Sequence, residues 1–182
     1  MSAALSRTNF PMKAPPLLPE ATLHRVLRIA NLDGLSVMAV AGLLALASAS
    51  VGDYNGAAVG LLVAAAGAIE LHGAGLLRSG ATRGMNWLLA SQPYLLVLLL
   101  GYCAIRLWAY DPAALQAAMT TDLRKALEAS GYSEQWFIQT FYRTVYSVLA
   151  IGTLIFQGGM TIYYWRRKAA VVAALETEAV EE

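Results

Sequence analysis

A chain of 182 residues that is 58% apolar, 14% charged and carries a net charge of +1 is far poorer in charge than a soluble domain, where about a quarter of residues are charged. Its mean hydropathy of +0.52 excludes an ordinary soluble globular domain, and the near-neutral charge gives no support to nucleic-acid binding. The class that remains is an integral membrane protein.

Residues 1–19 contain Pro11, Pro15, Pro16 and Pro19. They lack the continuous apolar stretch of a signal peptide and are expected to form a disordered tail. In 20–30, Leu23, Val26 and Leu27 oppose Arg25 and Arg28, the pattern of a short amphipathic helix lying on a leaflet with its arginines near anionic headgroups. Asn31, Asp33 and Gly34 interrupt that pattern and predict a bend before the first span.

Four apolar runs follow, at about 35–51, 57–77, 87–108 and 145–165, each close to the roughly 20 helical residues that cross a hydrocarbon core. The first two are joined by only Gly52, Asp53, Tyr54, Asn55 and Gly56, so they form an antiparallel hairpin. Both are rich in small residues, among them Ala41, Gly42 and Ala45 in one and Gly60, Ala64 and Gly67 in the other. In lipid such residues let backbones approach and gain dispersion contact, which predicts a close-packed pair. Asp111 and Pro112 then open an outer amphipathic helix at about 112–130, with Gly131 as its stop and Leu115, Met119, Leu123 and Leu127 on its apolar face. Ser133 is placed to cap the last helix. Trp87, Trp108, Tyr110, Tyr142, Tyr163, Tyr164 and Trp165 cluster at span ends as an interfacial aromatic belt.

Basic residues fix the expected orientation. Arg25, Arg28, Arg78, Arg83, Arg166, Arg167 and Lys168 all flank one set of span ends, whereas the 52–56 turn has none. By the positive-inside rule both termini are cytoplasmic, in a membrane of the bacterial inner type. The expected architecture is all-α: an integral membrane four-helix antiparallel bundle over residues 20–168, with short amphipathic interfacial helices before the first and fourth spans and a cytoplasmic tail at 169–182.

Few residues carry chemistry. Glu70 is a carboxylic acid about 10 Å inside the second span, where an unpaired charge is costly and such acids face the bundle or a wet cavity. Gln92 and Gln157 fall at similar depths, about 7 and 12 Å from the same edge, and Pro93 deprives the Leu89 carbonyl of its helical donor. Asp33 stands near the mouth of any vestibule these three form. The cluster reads either as a polar pocket for a cation, proton or small ligand, or as a hydrogen-bonded layer that holds the helices in register. His72 is a weaker candidate, because two residues along a helix from Glu70 it projects to nearly the opposite side. Without a cysteine pair or a histidine motif, no metal site and no cofactor are expected. Arg106, beside Trp108, reads as a side chain reaching the headgroups, or pairing with Asp53 or Asp111.

No phosphate-binding loop, dinucleotide motif or activated nucleophile occurs, which argues against an enzyme. An intramembrane enzyme with Glu70 as acid or base would need a second catalytic residue that the sequence does not provide. The leading expectation is an accessory or scaffolding protein that works through helix contacts with its own copies or other membrane subunits, its remaining partner being the lipid bilayer. The alternative is a subunit of an oligomeric ion or proton channel or transporter, with Glu70 in the pathway.

Overall fold

The computed structural model describes residues 18–181; of the expected tail at 1–19, residues 1–17 lie outside them, and Pro19 begins the first helix. The described residues form six helices and no strand: α1 (Pro19–Ser50), α2 (Tyr54–Arg78), α3 (Gly84–Trp108), α4 (Ala113–Ala117), α5 (Thr121–Ala129) and α6 (Glu134–Glu181). Four of them, α1, α2, α3 and α6, are long and apolar enough to cross a membrane.

These four pack in a ring, α1 on α2, α2 on α3, α3 on α6 and α6 back on α1. Short turns enforce the alternation of direction from α1 through α2 to α3. At the first, Gly52 takes a φ of +79°, which a residue with a Cβ adopts only with strain, and its amide and that of Asp53 donate to the carbonyls of Ala49 and Ser48. Asp53 then caps α2 by accepting from the Gly56 amide at 2.9 Å.

Small residues set the closest approaches. A Cβ added to Gly67 would stand 2.5 Å from the Gly34 carbonyl oxygen and 2.8 Å from the Met38 amide nitrogen, and one added to Gly60 2.8 Å from the Ala45 Cβ. The α1–α2 contact is therefore backbone against backbone along the hairpin. A second such crossing joins α2 to α3, where a Cβ on Gly84 would meet the Gly73 carbonyl oxygen at 2.5 Å.

Two features differ from the sequence expectation. First, the bend at Asn31 to Gly34 is absent, and α1 runs unbroken from Pro19 to Ser50. Its first third does not form a separate helix. Leu23, Val26 and Ala30 are buried in one cluster with Leu77, Met85, Val171, Ala174 and Leu175, so the apolar face assigned to a leaflet is covered by protein. At Gly34 the helix continues without a turn, and a Cβ there would stand 3.0 Å from the Gly67 carbonyl oxygen and from Leu71 Cγ, so the glycine serves a close helix contact.

Second, the single outer helix at 112–130 is two helices. Thr120 interrupts it, with an extended backbone and a side-chain oxygen that accepts from the Leu123 amide at 3.3 Å. That capping bond offers the backbone a local alternative to continuing the helix. Met119 and Leu127 turn onto Ile138 of α6. Gly131 ends α5 at a φ of +77°, and Ser133 caps α6 by accepting from the Trp136 amide at 3.2 Å, both where the sequence placed them.

Candidate functional site

Each of the four ring helices sends a polar side chain to one level of the interior. From α2, Glu70 is 3% exposed, and from α3, Gln92 is 1% exposed. Tyr164 of α6 is fully buried, and its hydroxyl donates to Glu70 Oε1 at 2.5 Å across the ring. Asp33 of α1, half-buried, and Gln92 both lie against the Glu70 carboxyl.

The placement follows from local sequence. Glu70 shares its helical face with Ala66, Gly67, Gly73 and Ala74, all buried, so the face bearing the acid is the face that packs. On α6, Thr153, Gln157 and Tyr164 recur at intervals of four and seven and are all buried, a stripe of the kind that lines the seam of a helical bundle. Gln92 sits among Leu88, Ser91 and Leu95 on the buried face of α3, which continues through Pro93.

The hydrogen bonding of the layer is incomplete. The Gln92 amide nitrogen reaches Ser91 Oγ only at 3.5 Å, and its oxygen Oε1 has no partner. Ser91 itself donates to the Leu88 carbonyl at 2.9 Å. Gln157 Oε1 is likewise without a partner. Buried acceptors without a partner are uncommon in folded proteins.

Compared with protein-family models, curated proteins and solved structures, the chain matches none. The site must therefore be read from its own geometry.

Of the residues singled out from sequence, Asp33, Glu70 and Gln92 come together. Gln157 is buried on the same side of α6 as Tyr164 but two turns away, a rise of about 10 Å, and makes no side-chain hydrogen bond to the layer. His72 does not join. It is exposed and stands edge-on to Trp87, with ring centroids 5.3 Å apart, as its position 200° or so around the helix from Glu70 requires. Among the described residues no three His, Cys, Asp or Glu side chains gather as a metal set. Tyr164 is the member that sequence reasoning missed. Its neighbours Tyr163 and Trp165 made it one of a belt of interfacial aromatics, whereas the seven-residue step from Gln157 carried the signal that it faces inward.

Chemically, the layer joins two carboxyl groups, a phenol and a primary amide in a space closed off by apolar neighbours. Such a set is able to share a proton between its members, and sliding any helix by a turn would remove a hydrogen-bonding group from its partners.

Proposed function

We propose that this chain is a multi-pass membrane protein of the accessory or scaffolding type, in which the polar layer pins the four helices and the outer faces of the bundle meet lipid and other subunits. The observation that carries the reading is the direction of Glu70: its carboxyl is directed into the chain's own ring and held by Tyr164. An acid turned inward and bonded serves internal packing, and a pathway lined by copies of Glu70 around an oligomer axis would need the same residue on an outer face. The outer faces are apolar over long stretches, with Leu43, Leu44 and Leu46 on α1 and Ile151, Leu154, Ile155 and Phe156 on α6 all exposed. Such surface fits lipid or a neighbouring helix. The basic residues at the Tyr164 end support cytoplasmic termini in an inner membrane of bacterial type.

A scaffold of this kind is expected to show a fixed stoichiometry above one, with itself or with a membrane partner, when its mass is measured in mild detergent. A solitary monomer at every detergent concentration overturns the reading.

A second reading is favoured by one specific observation, the Asp33 carboxyl beside Glu70 together with the unpartnered oxygen of Gln92. Two acids and a free acceptor are the furniture of an ion or proton path through the bundle itself. If that path is used, Glu70→Gln reduces proton or cation flux in proteoliposomes at least tenfold while the protein remains folded. Equal flux in wild type and variant, or none in either, removes it.

A further inference from the structure

At the end of the bundle away from the polar layer, a cavity of about 1030 Å³ opens between the α1–α2 turn, the last turns of α3, α4 and the first turns of α6. That is at the upper end of the roughly 300–1,000 Å³ of small-molecule sites. Arg106 of α3 lines it and is fixed by tyrosines. Its Nε donates to Tyr102 Oη at 3.2 Å, and its guanidinium carbon stands 5.5 Å from the centre of that ring. Tyr142 Oη donates to the Arg106 carbonyl at 3.0 Å. Tyr146 packs against both tyrosines, with centroids 5.9 Å and 4.7 Å away.

The alternative reading of Arg106, an ion pair with Asp53 or Asp111, is not met. Among the described residues the sole ion pair joins Arg124 to Glu134. Asp53 and Asp111 line the same cavity but turn to backbone amides, those of Gly56 at 2.9 Å and Ala113 at 3.1 Å. The two terminal nitrogens of Arg106 are thus left without a protein acceptor, in a side chain already immobilised through Nε. A guanidinium free to reach bulk water needs no such fixing; one held in place presents a planar fork suited to an oxyanion.

We propose that this cavity binds a phosphate-bearing amphiphile, its phosphate on the terminal nitrogens of Arg106 and its apolar body along Ile105, Phe141 and Val145. Exposed Trp108 and Tyr110 mark the depth at which lipid phosphates lie, so the occupant is a phospholipid of the bilayer. The assignment of source rests on the membrane reading above; the anion contact does not.

The test titrates delipidated protein in detergent with a short-chain phosphatidylglycerol and, separately, with inorganic phosphate, following bound ligand by native mass spectrometry and aromatic fluorescence. Wild type and Arg124→Gln are expected to bind the lipid alike, and Arg106→Gln about tenfold or more weakly, as loss of a charge-assisted contact implies. Should Arg106→Gln not fold, Arg106→Lys keeps the charge without the fork and is expected to bind severalfold more weakly. Saturation by inorganic phosphate alone, with the same dependence on Arg106, supports the anion site and assigns it a free phosphate. Equal binding by wild type and the Arg106 variant, or no binding by wild type, overturns the proposal. A chain that stays in solution without detergent defeats the membrane reading, and the phosphate titration then decides this one.

Discussion

Gly67→Ala is expected to destabilise the bundle by about 1–3 kcal/mol, the range for forcing a methyl into a closed contact, and Gly67→Val to abolish folding. The added Cβ would lie 2.5 Å from the Gly34 carbonyl oxygen and 2.8 Å from the Met38 amide nitrogen. Both are backbone atoms, so no rotamer change relieves the clash; α1 and α2 must move apart. Separation is costly here, because the same face of α2 carries Glu70 three residues on, and a shift of α2 pulls the carboxyl away from Asp33 and Tyr164. The control is Gly42→Ala, where an added Cβ meets nothing within 4 Å. There alanine's better helix propensity is expected to add up to about 1 kcal/mol. Unfolding by a denaturing detergent, followed by circular dichroism, separates the two. If Gly67→Ala unfolds at the same point as Gly42→Ala, the close hairpin is wrong.

The hairpin also shows what the sequence reveals and what it hides. Long apolar runs disclose four helices because the requirement for about 20 apolar residues acts on each helix alone. Helix ends were less legible. Asn31, Asp33 and Gly34 read as a bend because polar and glycine residues commonly break helices, yet in this fold Asp33 joins the interior layer and Gly34 takes the weight of the α1–α2 contact. Both serve a neighbour that local sequence does not show. The same holds for Tyr164, whose place in a run of three aromatics spoke for an interface and whose phase on α6 spoke for the core. For Arg106, headgroup contact was the simplest reading of its position, and the three tyrosines around it, Tyr102, Tyr142 and Tyr146, come from α3 and α6. Glu70 was legible because an acid surrounded by alanine and glycine faces other helices for two independent reasons, charge and size.

Glu70→Ala is the second substitution of large effect, expected to cost about 2–4 kcal/mol from the cavity and the orphaned hydroxyl together. Truncation empties the centre of the ring and strips the Tyr164 hydroxyl, fully buried, of the acceptor that holds it. Tyr164→Phe removes the donor without the volume and is expected to cost less, about 0.5–2 kcal/mol, since interhelical hydrogen bonds in membranes are worth little more than in water. The discriminating quantity is the coupling. If the two groups form one unit, Glu70→Ala combined with Tyr164→Phe costs less than the sum of the singles by about 1 kcal/mol, because the hydroxyl lost in the second step was already without its partner. Glu70→Gln keeps an acceptor oxygen and nearly the same volume, so it is expected to fall well short of Glu70→Ala. Strict additivity in the Glu70→Ala cycle, measured by the same detergent unfolding, would mean that the Tyr164 bond contributes nothing to the bundle. The polar layer would then have no role in setting helix register, and the reading of Glu70 as a proton- or cation-holding group would gain the ground that the scaffold reading gives up.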